Sequence, residues 1–134
     1  MHRTLLIPLV LLIVTSVVVV SGVLRDRPTA VSNGSDIVLR WSTLDESGVE
    51  RFDVLRRAGT EGAFLLIGSE RPKGNNSAYE YVDQQVFKSA AGIYQYKIRI
   101  VDGSPQPPES DVITVSHLSS AYKRTWGSIK AMFR

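Results

Sequence analysis

Several short segments in which apolar and polar residues alternate, separated by turn-forming clusters, predict an all-β sandwich or barrel for the body of this chain. Three observations carry that expectation. The longest alternation, Tyr94, Tyr96, Ile98 and Ile100 against Gln95, Lys97, Arg99 and Val101, has the period of two required by a strand with one buried face. Clusters of Gly, Pro, Asn and Ser punctuate the chain between such segments. Nothing between Asp36 and His117 carries a helix-period stripe of useful length. At 134 residues there is room for one domain of ordinary size and not for two.

The first 24 residues stand outside that pattern. Met1-His2-Arg3 is a short, weakly positive start, and from Leu5 to Leu24, LLIPLVLLIVTSVVVVSGVL, no side chain is ionisable. Roughly 20 residues at about 1.5 Å each cover the roughly 30 Å of a hydrocarbon core, whereas a secretory h-region has about 7 to 15. Residues 1–24 therefore form an N-terminal hydrophobic helix that is either a signal peptide or an uncleaved anchor. Small-x-small spacing marks two places for removal, after Ser16 and after Gly22. Arg25 and Arg27 directly beyond the run argue against easy translocation. With no Cys a lipoprotein anchor is excluded. A buried core helix is disfavoured, because a β-rich domain this small has nowhere to hide it.

Residues 25–35, RDRPTAVSNGS, read as a linker, with room for a short first strand within residues 28–35. The sandwich is expected over residues 36–117. Ile37, Leu39 and Trp41 alternate with Val38, Arg40 and Ser42; Phe52 and Val54 alternate inside ERFDVLRR. Phe64 to Ile67 is a short apolar run ended by Gly68, Tyr79, Tyr81 and Asp83 mark the next strand, and Val112 to Val115 supply the last. Turn signals lie between them at Glu46-Ser47-Gly48, Gly59 to Gly62, Arg71 to Asn76, Ala91-Gly92 and Asp102 to Pro105.

Composition removes several function classes. Zero Cys excludes disulfide frameworks, thiolate metal sites and cysteine nucleophiles, and two His, at positions 2 and 117, suggest neither a metal cluster nor a triad. No cofactor is implied. From Asp36 to His117 nine Lys/Arg stand against twelve Asp/Glu, a balance of −3, while residues 118–134 carry four Lys/Arg and no acid, +4. The basic character therefore belongs to the ends, which argues against a nucleic-acid partner, whose reader spreads cations over a folded face.

In chain order, Trp41, the aromatic Phe52 opening RFDVLRR, Gly62-x-Phe64, Tyr81-x-Asp83, Gly92-Ile93-Tyr94-Gln95-Tyr96-Lys97-Ile98-Arg99, Val101-Asp102-Gly103 and Ser110 stand where a fibronectin type III domain has its marker residues. The chain resembles that family over roughly Pro28 to His117. The resemblance implies an immunoglobulin-like sandwich of about seven strands in which the third and sixth strands pair. It also implies a tyrosine corner at Tyr94, whose hydroxyl bonds back to the chain just upstream, and a role in binding. The integrin-type Arg-Gly-Asp loop is absent.

Candidate functional residues fall into two groups. If Phe52 and Val54 point inward, Arg51, Asp53, Leu55 and Arg57 point outward beside Gln95, Lys97 and Arg99. Arg51, Arg57, Lys97 and Arg99 then form a basic binding face for a protein or an acidic polysaccharide. The plain alternative is cross-strand pairing of Asp53 with Lys97 or Arg99 on a wet surface. The second group is the tail, residues 118–134. Ser119-Ser120 offer a cap to a helix in which Tyr122, Trp126, Ile129 and Phe133 share one face, flanked by Lys123 and Lys130. This short amphipathic helix, weakened by Gly127 at about 1 kcal/mol, needs a membrane, a partner or its own sandwich to lie on, or else frays.

Catalysis has little to work with. Asp45-Glu46 and Glu109-Asp111 are the carboxylate pairs available for acid–base work, and they read as solvated loop acids. Asp83 reads as a turn-forming carboxylate, Glu80 as pointing to the opposite face, and His117 as a surface residue at the domain's end. The expected function is a non-enzymatic binding or adhesion module, exported to a cell envelope or the exterior and membrane-tethered if the first segment is kept. The alternative is a structural subunit of an envelope or surface assembly joined through its tail. Asn33-Gly34-Ser35 and Asn75-Asn76-Ser77 match glycosylation acceptors, although the lack of Cys suits a bacterial envelope.

Overall fold

The computed structural model describes residues 22–86 and 92–119 together with Gly127, Ile129, Lys130 and Met132. The period of two becomes strands β1 (Thr29–Ser32), β2 (Ile37–Ser42), β3 (Arg51–Ala58), β4 (Leu65–Glu70), β5 (Ala78–Asp83), β6 (Gly92–Val101) and β7 (Ile113–His117). They build two antiparallel sheets, one in the order β1-β2-β5 and one in the order β4-β3-β6-β7. The described chain is thus an all-β sandwich with almost no helix. Strands β3 and β6, distant in sequence, are neighbours from Arg51 opposite Val101 to Ala58 opposite Tyr94.

The inward faces meet in one core. Ile37, Leu39 and Trp41 of β2 and Tyr79 of β5 pack with Phe52 and Val54 of β3, Tyr94, Tyr96, Ile98 and Ile100 of β6 and Val115 of β7. Each fully buried aliphatic side chain contributes about 1.5–3 kcal/mol. Trp41 stacks flat on Tyr79 with ring centroids 5.1 Å apart, and Phe52 tilts against both, 6.2 Å from Trp41 and 5.0 Å from Tyr79. Trp41 and Phe52 join the two sheets, as their alternation predicts.

The chain ahead of β1 departs from the expected linker. Leu24 bridges to Thr43, the Leu44 N–H donates to the Val23 carbonyl at 2.8 Å, and the Arg25 N–H donates to the Ser42 carbonyl at 2.9 Å. Val23 and Leu24 pack against the core and Pro28 is buried. Extended backbone lying beside the end of β2 satisfies its polar groups by pairing. Among the described residues, pairing with the sandwich therefore reaches back to Val23, and β1 is the short first strand for which residues 28–35 left room. The hydrophobic helix and the Ser16 cleavage position lie outside the described residues.

Strand β4 is an edge. Its register with β3 slips between Val54 and Leu55, which leaves Ile67 as the extra residue of a bulge, and the Tyr81 hydroxyl donates to the Ile67 carbonyl at 2.8 Å. A bulge and an occupied carbonyl both blunt an edge against unwanted pairing. Tyr81 reaches there from the other sheet across Gly68, where an added Cβ would stand 2.5 Å from the ring. Gly68→Ala is therefore expected to cost about 1–3 kcal/mol in chemical denaturation. In a Tyr81→Ala background the same change should cost far less.

Past β7's partner residues, β6 continues to pair with an irregular segment. The Ile100 N–H donates to the Pro108 carbonyl at 2.8 Å, the Ser110 N–H donates to the Ile98 carbonyl at 2.8 Å, and Glu109 bridges to Arg99. At the other end of β7 the reading of His117 as a surface residue is corrected. Its side chain is fully buried, because β1 closes the side of the sandwich against β7. There the Ser32 hydroxyl and His117 Nδ1 share a hydrogen bond at 2.7 Å, and Tyr94 meets the imidazole edge-on at 6.2 Å.

Candidate functional site

Strand parity puts Arg51, Asp53, Leu55 and Arg57 on the side of Gln95, Lys97 and Arg99. The register sets Asp53 opposite Arg99, Leu55 opposite Lys97 and Arg57 opposite Gln95. The four nominated cations thus share one outer face, and half of their charge is answered locally by Asp53 and Glu109. Arg51 Nε donates to Asp53 at 2.9 Å, and the buried Asp53 also accepts the Ser69 hydroxyl at 2.7 Å. Lys97 and Arg99 both donate to Glu109, Arg99 at 3.1 Å. Partial burial works to raise the Glu109 pKa, but the hydrogen bonds from Lys97 and Arg99 outweigh it and hold the carboxyl below its ordinary 4.5.

Cross-strand pairing of Asp53 with Lys97 or Arg99 is therefore not what forms. Arg51, two residues away on the same side, takes Asp53, and the segment beyond β6 brings Glu109 to the two β6 cations. Four cations less the acids Asp53 and Glu109 leave this cluster at +2.

Arg57 is held differently. Its Nε donates to Gln95 Oε1 at 2.8 Å and its Nη1 to the Gly62 carbonyl at 3.0 Å, while Gln95 Nε2 donates onward to Thr114 Oγ1 at 3.1 Å. The Arg57 guanidinium carbon stands 4.4 Å and the Lys97 ammonium 4.3 Å from the centroid of one ring, that of Phe64. Cation–π contacts at exposed sites are worth about 0.5–1 kcal/mol each. On this outer side Leu55, opposite Lys97 and Leu66, was expected to face water and is 1% exposed. On the same face Leu66, opposite Leu55, remains bare at 59% exposed, while Leu65, opposite Arg56, lies on the other face of the strand. The site is an aromatic–cation cluster with an apolar margin. Sequence reasoning found its cations and missed Phe64, Leu66 and Glu109; the Gly62-x-Phe64 spacing marked only the approach to a strand.

A pocket of about 190 Å³ opens between the β3–β4 hairpin and Gln85, with Arg56, Leu65 and Tyr94 on its walls. Arg56 is committed: Nη1 donates to both oxygens of Asp83, at 3.0 and 2.8 Å. Asp83, fully buried, also accepts the Tyr96 hydroxyl at 2.8 Å and the Gln85 N–H at 3.0 Å. It forms the expected turn and, in addition, a buried ion pair. Burial, and then Asp83 itself, push the Tyr96 hydroxyl pKa up. Among the described residues this bond from Tyr96 to Asp83, and not one from Tyr94, ties a β6 tyrosine back upstream.

Neither carboxylate pair converges on a cleft. Asp45 is exposed and accepts the Ser47 N–H at 2.8 Å. Glu46 is buried, accepting the hydroxyls of Tyr79 and Thr43 at 2.5 and 2.7 Å and the Gly74 N–H at 2.7 Å. Glu109 is on Lys97 and Arg99, and Asp111 is 2.9 Å from Arg27. Glu80 points outward and pairs with Arg40 at 2.8 Å, as parity predicts. Of the glycosylation-type asparagines, Asn75 Oδ1 accepts the Glu46 N–H at 2.7 Å, and Asn33 Oδ1 accepts the N–H groups of Ser35 and Asp36.

In the tail, Ile129 and Lys130 are described, helical and exposed, as are Gly127 and Met132. Tyr122, Lys123, Trp126 and Phe133 lie outside the described residues. Among the described residues no helix is long and apolar enough to cross a membrane. Comparison with known proteins finds no family model, no curated protein and no solved structure that matches this chain.

Proposed function

We propose that this chain is a non-enzymatic binding module of fibronectin type III type, exported or membrane-tethered, that engages a protein partner through the outer face of β4-β3-β6-β7. The observation that carries the reading is Phe64 in contact with Arg57 and Lys97 on the face that also presents the bare Leu66. Aromatic and Arg anchors with apolar neighbours are what protein interfaces concentrate at their centres. The adjacency of β3 and β6 in a four-stranded sheet facing a three-stranded one supports the family-like architecture. An acidic polysaccharide is the weaker partner, because such ligands need unanswered cations, and Asp53 and Glu109 already answer Arg51, Lys97 and Arg99. The apolar N-terminal run supplies export or tethering, and the basic aromatic tail a second attachment.

A photo-crosslinking residue at Leu66 of the full-length chain in its native membrane tests this. It should give a discrete protein adduct, weakened about tenfold or more when Arg57→Glu and Lys97→Glu are combined, the equivalent of about 1.4 kcal/mol. Adducts from position 129 alone, with oligomers that vanish when residues 122–134 are removed, would replace this reading by that of a structural subunit joined through its tail.

A further inference from the structure

The two poles of the sandwich differ in what leaves them. At one, Val23 to Arg25 pair against Ser42 to Leu44, and the strand ends Ser42 opposite Ala78 and Arg51 opposite Val101 lie beside them. Three loops are tied together there: the Asn76 N–H donates to the Leu44 carbonyl at 3.1 Å, the Glu50 N–H to the Val101 carbonyl at 2.7 Å, and the Glu46 N–H to Asn75 Oδ1 at 2.7 Å. At the other pole His117 sits opposite Gly92 and against Ser32, near Ala58 and Tyr94. Val23, the residue after Gly22 of the apolar run, stands at the first pole, and His117, the last residue of β7, at the second. Strand β6, ten residues long, runs between them, and at about 3.3 Å per residue the poles stand roughly 30 Å apart.

No spacer separates the apolar run from the fold. Residues 5–22 carry no ionisable side chain, and as a helix at about 1.5 Å per residue they cover roughly 27 Å, close to a hydrocarbon core. The next residue, Val23, is already paired to Leu44. A domain on a flexible tether tumbles above its membrane; one joined without a spare residue is held against it.

We propose that in the retained form the sandwich is seated end-on on the bilayer, with the Leu44 pole among the lipid headgroups and the His117 pole at the far end. This rests on the tethered form of the reading above. Leu44, 42% exposed next to the entering chain, is the apolar group that meets the interface. Arg25, held by Asn76 Oδ1 at 2.6 Å, and Lys73 stand at the same end with Asp45 and Glu50. Because those charges are mixed, chain continuity and not surface charge does the seating. The Phe64 face then stands upright, open to a neighbour in the same membrane, and the His117 pole points away from that membrane.

The chain has no cysteine, so single cysteines label it uniquely. The full-length protein in phosphatidylcholine vesicles carrying headgroup nitroxides is labelled with a fluorophore at Leu44→Cys, at Ser47→Cys in the same pole, or at Thr60→Cys in the opposite one. Quenching at positions 44 and 47 should exceed that at 60 several-fold and resist added salt. Equal quenching at both poles overturns the seating. Recovery of the native protein as a soluble species starting at Val23 also overturns it, while leaving an exported binding module intact. Failure of the Leu66 adduct removes the binding reading and leaves the seating untouched.

Discussion

Asp83→Ala is expected to lower the free energy of unfolding by about 3–5 kcal/mol, a large part of the roughly 5–15 kcal/mol a domain of this size commands. The carboxylate is 1% exposed and holds three groups at once: both its oxygens meet Arg56 Nη1, and it accepts the Tyr96 hydroxyl and the Gln85 N–H. Removing it leaves a mostly buried guanidinium without a counter-ion and a buried hydroxyl without its acceptor, and stranded groups cost more than the bonds were worth. Asp83→Ala combined with Arg56→Met should recover much of the loss, since replacing both partners by apolar groups of similar volume is often close to neutral. Urea midpoints of the three chains check this. A loss below about 1 kcal/mol in Asp83→Ala, the range of an exposed pair, would mean that water reaches the site and that the pair is not a buried one.

The second large effect belongs to Glu46. Glu46→Ala is expected to cost about 2–4 kcal/mol, because its buried carboxylate joins the β2–β3 loop to the β4–β5 loop and to β5. It does so through charge-assisted bonds from Thr43, Tyr79 and the Gly74 N–H. Burial works to raise the Glu46 pKa, but those hydrogen bonds prevail and hold it below the ordinary 4.5. Its contribution is therefore fully present above pH 4.5 and is lost as pH falls through the folded value. Tyr79 titrates in the opposite sense. Burial, and then the Glu46 carboxylate, push its hydroxyl from 10.0 up to about 12. Its share is whole below pH 10.0 and disappears as pH rises through about 12. Glu46→Gln retains the shape and removes the charge. It should flatten the acid limb of stability against pH and bring the Tyr79 hydroxyl back toward its ordinary value, the latter read by ultraviolet titration. An acid limb unchanged in Glu46→Gln would assign acid sensitivity to another carboxylate, such as Glu109, which is also held low.

The alternations of β2 and β6 are legible residue by residue because direction along a strand is local: successive side chains point to opposite faces whatever the rest of the chain does. Ile37, Leu39 and Trp41, and Tyr94, Tyr96, Ile98 and Ile100, are buried as that rule predicts. The same rule puts Arg51, Arg57, Lys97 and Arg99 on one outer face. It assigns a side but not what covers that side, so Leu55, buried although it lies on the outer side of β3, reads as exposed when only the sequence is considered.

Partners are decided elsewhere. Glu109 meets Lys97 across twelve residues, Asp83 meets Arg56 across twenty-seven, and His117 meets Ser32 across eighty-five. Each pairing exists only because two segments became neighbours when the sheets formed and packed, information that no window of alternating residues contains. The pairing of residues 23–35 with β2 is of the same kind. Residues 25–35 have the composition of a linker, and they pair because the end of β2 lies open beside them. The sequence by itself determined the strands, the apolar N-terminal run, the absence of thiol chemistry and the faces on which charges stand, since these depend on residue type and short spacing. The tertiary structure alone decided which acid answers which base, which imidazole is buried and how residues 23–35 pair with β2, since these depend on sheet order and on closure of the sandwich's sides.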